Sequence, residues 1–79
     1  MIAAYILIHT KVGVVGSVAA EVAEIKGVAS AEGLTGPYDV IARAEARNLD
    51  ELGRLVIRRV QAVPGVIRTL TCPVIHLSS

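Results

Sequence analysis

The chain has 79 residues and a formal net charge of +1: one domain with one small core, and charges too scattered to form a basic stripe that would capture a phosphate backbone, which excludes direct nucleic-acid binding. Hydrophobic residues make up 53% of it but aromatics only 3%, so the core must be built from Val, Ile, Leu and Ala, and a domain this small and apolar is expected to bury surface against copies of itself. The lone Cys72 cannot close an intramolecular disulfide, no basic stretch leads into a signal-like apolar run, and the longest such run, Met1 to Ile8, is far short of the roughly 18 residues a spanning helix needs. The expectation is a reduced, cytoplasmic protein without a membrane segment.

Ile2 to Ile8 is short, partly β-branched and ended by His9-Thr10-Lys11, which predicts a buried strand. Both its faces are apolar, with Ile2, Ala4, Ile6 and Ile8 on one side and Ala3, Tyr5 and Leu7 on the other. From Val14 the period changes. Val14, Val15, Val18, Ala19, Val22 and Ile25 follow helical spacing, Ser17, Glu21 and Glu24 fall outside, and Gly27 stands where a C′ glycine belongs. Val28 to Thr35 and Asp39 to Ala46 are expected as two strands joined by Gly36-Pro37-Tyr38-Asp39. A second helix begins at Asn48, with Glu51 three residues on in a capping arrangement, and carries an apolar stripe through Leu49, Leu52, Leu55, Val56, Val60 and Val63 until Pro64-Gly65 stops it. Val66 to Leu77 is β-rich, and Pro73 within it points to a sheet edge or a bulge.

An internal repeat arranges these pieces, because residue n matches residue n+38: Val14 with Leu52, Val18 with Val56, Val22 with Val60, Ile25 with Val63, Gly27 with Gly65 and Ile2 with Val40. Each half is one β-α-β unit. Two in tandem predict an α+β, ferredoxin-like β-α-β-β-α-β fold, a four-stranded antiparallel sheet in the order 4-1-3-2 with both helices on one face. The other face needs cover, and a second copy packed sheet against sheet, as a dimeric α/β-barrel, supplies it. A monomer is expected to be unstable alone.

The order of elements, Gly27-Val28 and Gly65-Val66 after each helix, the turn Thr35-Gly36-Pro37-Tyr38-Asp39 and the run Gly65 to Thr71 together resemble the RAM (regulation of amino acid metabolism) ligand-binding domain of the Lrp/AsnC transcriptional regulators. The likeness covers nearly the whole chain, 1–79, as a single ligand-binding and oligomerisation domain. It implies a free amino acid as effector, no cofactor, no catalysis, and homodimers that associate into a ring, an octamer or decamer, whose state responds to the ligand. Family members that bind DNA carry a helix-turn-helix before this domain, and Met1 leaves no room for one ahead of the first strand. The resemblance therefore implies a form without its own DNA reader, acting alone or by hetero-association with a full-length regulator. The end Val74 to Ser79 lacks the basic residue many relatives place there.

The turn sits between the two repeats, so the repeat does not account for it. Gly36, Tyr38 and Asp39 suit a zwitterion: close-approaching backbone N–H groups at Gly36, an acid at Asp39 for an ammonium, and an amphipathic wall at Tyr38. The same residues equally suit an ordinary turn with an Asp bonded to its own backbone. Thr69 and Thr71 alternate along the last strand and so share a face, where their hydroxyls can meet a carboxylate or simply be strand residues. Since that strand and the strand 2-3 hairpin lie at opposite edges of the sheet, a pocket using both combines different subunits. His9 and His76 fall at opposite ends of neighbouring strands and cannot share a metal, so no metal site is expected. Cys72 is expected as a buried or half-buried strand residue, and Arg54, Arg58 and Arg59 with Glu51 as a solvated helix face. Two other readings stay open. One is a small cofactor-free oxygenase-like barrel enzyme using Tyr5, His9 or His76; the other is a ligand-free assembly module that modifies a full-length regulator.

Overall fold

A computed structural model describes residues 1–76. The elements run β1 (Ile2–Thr10), α1 (Val15–Ala23), β2 (Val28–Gly33), β3 (Val40–Ala46), α2 (Leu49–Leu55), a π-helical turn continuous with it (Val56–Val60), and β4 (Val66–Pro73). One antiparallel sheet holds all four strands in the order β2-β3-β1-β4, the ferredoxin-like arrangement the repeat predicts. Leu77, assigned to the last strand from sequence, lies outside the described residues. Pro73 closes β4, an edge strand where a missing N–H costs no ladder bond.

Both helices lie on one face of the sheet. Beneath them Ala4, Ile6 and Ile8 of β1 and Val40, Ala42, Ala44 and Ala46 of β3 are all buried, against Val18 and Val22 of α1 and Leu52, Val56 and Val60 from the second helix. The alanines matter here, because a floor of small side chains lets the two helices settle close to the central strands. Leucine at Ala42 would overfill that space at a cost of about 1–3 kcal/mol.

Both helices end in the same way, 38 residues apart. Ile25 N–H donates to Val22 and Val28 N–H to Ile25; Val63 N–H donates to Val60 and Val66 N–H to Val63. Each pair of tight turns delivers the chain to a glycine with left-handed φ, +100° at Gly27 and +99° at Gly65. Gly27 is thus not the residue just past the α-helix, as its spacing suggests, since α1 caps at Glu24 and the tighter turns intervene. At Gly65 space is short as well: a Cβ there would meet Val14 at 2.9 Å and Val18 at 3.1 Å. The glycine ending the second repeat therefore packs on the helix of the first.

The second helix departs from its sequence expectation. Its start is as predicted, with Asn48 Oδ1 accepting the Glu51 N–H at 2.8 Å. The α-helix stops at Leu55, and Gln61 N–H then reaches back five residues to the Val56 carbonyl at 2.9 Å. Hydrophobic spacing alone cannot register this widened turn, because Val56 and Val60 stay buried through it.

The opposite face of the sheet is open in the single chain. Strand register aligns Ile41, Leu7 and Leu70 in one row across three strands and Arg43, Tyr5 and Cys72 in the next. Tyr5 and Leu70 are 40% and 45% exposed.

Candidate functional site

The β2-β3 connection is a hairpin closed by Leu34 N–H donating to the Asp39 carbonyl at 2.8 Å. The strands stop sooner than the sequence suggests, at Gly33 and from Val40, so Leu34 to Asp39 all belong to the connection. Gly36 has φ +151° and open space where a Cβ would stand, so its backbone conformation is what demands glycine. The exposed backbone at this point is also accessible to a ligand.

Asp39 joins the hairpin to the end of β1. Its N–H donates to the Ile8 carbonyl at 3.0 Å, and its Oδ2 accepts the Thr10 N–H at 2.8 Å. Thr10 lies just past the register shift in the β1-β4 ladder, so the carboxylate serves a backbone donor at an irregular point of the sheet. Asp39 is therefore structural in part, its carboxylate bonded not to its own turn but to the neighbouring strand. Among the described residues no hydrogen bond engages Oδ1, and the side chain remains 35% exposed. Beside it His9 Nδ1 stands 3.8 Å from Oδ2, and the His9 ring stacks on Tyr38 with centroids 4.3 Å apart. Tyr38, Asp39 and His9 thus form one cluster at the end of the central strands.

Thr69 and Thr71 lie elsewhere. Their partners in β1 are Ile8 and Ile6, whose side chains point under the helices, so both threonines face the helix side at the sheet edge. There they line a cavity of about 410 Å³ between β4 and the second helix, with Leu52, Val56, Ile57 and Gln61. Gln61 Nε2 donates to Thr69 Oγ1 at 2.9 Å. The lining offers an apolar floor and three uncharged polar side chains. Another cleft, near 360 Å³, runs between Lys26, Glu45, Glu51 and Arg59, where both signs of charge alternate.

The five residues singled out from sequence therefore separate into two groups. Gly36, Tyr38 and Asp39 stay together on the hairpin, while Thr69 and Thr71 share the cavity beyond β1, on the other side of the sheet. Two neighbours escape the sequence reading. His9 enters there as a metal or enzyme candidate and not as a neighbour of Asp39; the antiparallel β1-β3 pairing, which sets the end of one strand against the start of the other, is the signal that leads to Asp39. Gln61 carries no sequence signal, since the π turn sets its position. His76 does lie at the far end of β1, where Val74 N–H donates to Ala3. Cys72 is exposed rather than buried: its side of β4 is the open face, opposite Tyr5. No group of three or more His, Cys, Asp or Glu among the described residues is placed to hold a metal ion, and no helix there is long and apolar enough to cross a membrane.

The chain is thus a ferredoxin-like α+β module with one uncovered sheet face and two separated polar clusters. Residues 3–77 match the Lrp/AsnC ligand binding domain, and the chain belongs to that family. Among curated relatives it is 33% identical over 54 residues to a helix-turn-helix-type transcriptional regulator of Pyrococcus furiosus, a match covering 68% of this chain and 36% of the relative. The chain thus spans little more than a third of that protein's length. Among solved structures, TTHA0845 of Thermus thermophilus superposes with a TM-score of 0.91 at 30% identity, covering 100% of this chain and 99% of that one. Transcriptional regulator NMB0573 of Neisseria meningitidis, solved as an L-Met complex, shares the fold at a TM-score of 0.81 and 20% identity over 95% of this chain and 50% of that one.

Proposed function

We propose that the whole chain acts as one amino-acid-sensing and assembly domain of Lrp/AsnC-type regulation in the cytoplasm, with the ligand held between copies. The observation that carries this reading is the division of the polar residues. Asp39 keeps a carboxylate oxygen for an ammonium, Thr69 and Thr71 offer hydroxyl donors for a carboxylate, and β1 and the plane of the sheet stand between them. One small zwitterion reaches both only when the hairpin of one copy meets the β4 cavity of another. Gly36 then presents backbone and Tyr38 a wall to the bound molecule. The amino acid in the Neisseria regulator has an apolar tail, and the cavity's Leu, Val and Ile floor suits such a tail here.

Pairing through the open face gives the homodimer, and ligand-bridged contacts join dimers into a ring of the octamer or decamer kind. Because the ligand binds only assembled copies, its binding free energy favours assembly by linkage. The same surfaces allow mixing with a full-length regulator of the family. The reading assigns the chain no catalysis. Tyr5 has its hydroxyl engaged by Arg43 Nη1 at 3.1 Å, His9 stacks on Tyr38, and His76 lies past the opposite end of the β1-β4 ladder, so these three side chains do not converge on a reacting centre.

A thermal-shift screen of the twenty proteinogenic amino acids, repeated by light scattering, tests this. A true effector at ~100 times its dissociation constant adds about 2.7 kcal/mol of stability, and it changes the particle mass. No response to any amino acid would leave the chain as a ligand-free assembly module.

A further inference from the structure

The cavity between β4 and the second helix contains one polar side chain that the ligand reading leaves unused. Gln61 comes directly after the π turn, its own N–H fixed on the Val56 carbonyl five residues back, and its amide reaches across the mouth of the cavity to Thr69 Oγ1. A π turn inserts a residue relative to α-helical winding and rotates the residues C-terminal to it. Here that rotation delivers a side-chain amide to β4.

The direction of this bond matters. Nε2 donates and Oγ1 accepts, so the Thr69 hydroxyl proton is not spent on Gln61 and is free to be donated to an occupant of the cavity. Thr71, also in the lining, adds a second hydroxyl to the same space. Among the described residues lining the cavity no side chain is charged, so neither a cation nor a carboxylate competes to set the polarity. With one Oγ1 lone pair taken by Gln61, the Thr69 proton is free for an acceptor, which a carboxylate supplies with full charge and a carboxamide only through its weaker carbonyl oxygen.

We infer that Gln61 is a specificity-determining positioning residue: by holding the Thr69 hydroxyl as a donor, it makes the cavity select a ligand's free carboxylate over the corresponding carboxamide. This rests on the amino-acid reading above and specifies which end of the ligand enters this cavity. It also leaves the ammonium to a carboxylate on another copy, since no side chain among the described residues lining this cavity carries a negative charge.

The test titrates the twenty proteinogenic L-amino acids into the intact protein by calorimetry, then the primary carboxamides of those that bind. Wild type should prefer acid over amide by about tenfold or more. Gln61→Met, which removes the amide but keeps the bulk, should lower that preference several-fold. Gln61→Glu should abolish it at pH 8, because the introduced carboxylate accepts the Thr69 proton and repels the ligand's own charge. Lowering the pH to about 4, where an exposed glutamate carboxyl is largely protonated and can donate again, should restore the preference. A merely structural role would give neither the acid-amide split nor its recovery with pH. Gln61 is exposed, and circular dichroism of both variants checks their folding; if one misfolds, the other's acid-to-amide ratio still decides. Wild type binding an amino acid while both variants keep its acid-amide preference at pH 8 overturns this inference alone. Wild type binding none overturns the sensing reading, and this inference with it.

Discussion

Asp39 carries two loads whose separation is testable. Replacing it with alanine strips the Thr10 N–H of a charged acceptor, which costs about 1.5–3 kcal/mol and should appear as a lower urea midpoint at fixed protein concentration. Asparagine keeps an acceptor for Thr10, so Asp39→Asn should lose about 1 kcal/mol or less yet bind amino acids far more weakly, since a neutral amide cannot balance an ammonium. Equal losses of stability in both variants would mean that the charge matters chiefly to the fold. At the start of the second helix, Glu51 Oε1 accepts the Arg47 N–H at 3.0 Å and Oε2 the Arg47 Nε at 2.8 Å. The backbone bond first, then the guanidinium, hold its carboxyl below the ordinary glutamate value of 4.5. A lowered carboxyl contributes to folding fully above that value and ceases to contribute as pH falls through the lowered one. The Arg47 amide resonance should therefore titrate with a midpoint below 4.5, and Glu51→Gln should flatten the curve. At this scale the sequence was legible where residue chemistry is local, as at Asn48 and Glu51, and silent where strand pairing brings residues together, as with His9 beside Asp39.

Elements were legible because periodicity is a property of contiguous residues. The 38-residue offset predicts strand order as well as strand content, and the structure reproduces the offset down to the paired turns at Val28 and Val66. What periodicity could not show is winding: buried Val56 and Val60 keep their four-residue spacing through the π turn. Nor did turn chemistry place the strand ends near Gly33 and Val40, where the hairpin rather than the ladder claims the intervening residues. The inter-repeat contact at Gly65 makes a sharp prediction. Alanine there combines a left-handed φ of +99° with a 2.9 Å approach to Val14, so Gly65→Ala should cost about 1–3 kcal/mol from backbone strain, with a further loss from steric contact. Gly53→Ala, in a helical position with open space around its Cβ, should be neutral or stabilising by up to about 1 kcal/mol. Thermal melts of the two variants, read against wild type, check both signs.

For the whole molecule, the uncovered row Ile41-Leu7-Leu70 is the surface on which the proposed pairing rests. Glutamate at Leu7 would bring two like charges into a two-fold interface, and Leu7→Glu should weaken self-association by about a hundredfold or more, near 2.7 kcal/mol, as measured by sedimentation equilibrium. Sequence reveals that a face is greasy but not which side of the sheet a distant threonine occupies, because that depends on register with β1. The strand order read from the repeat already sets the hairpin apart from the last strand, the face that Thr69 and Thr71 occupy emerges only in three dimensions, and this division underlies the proposal that sites form between copies. Mixing tests it most directly. Asp39→Asn and the double variant Thr69→Val, Thr71→Val should each fail to bind the effector alone. After the two are co-refolded at equal amounts, about a quarter of the sites combine an intact Asp39 from one copy with intact threonines from another, so calorimetry should recover that fraction of binding. A mixture as inert as its components would contradict a shared site and place any ligand within a single chain.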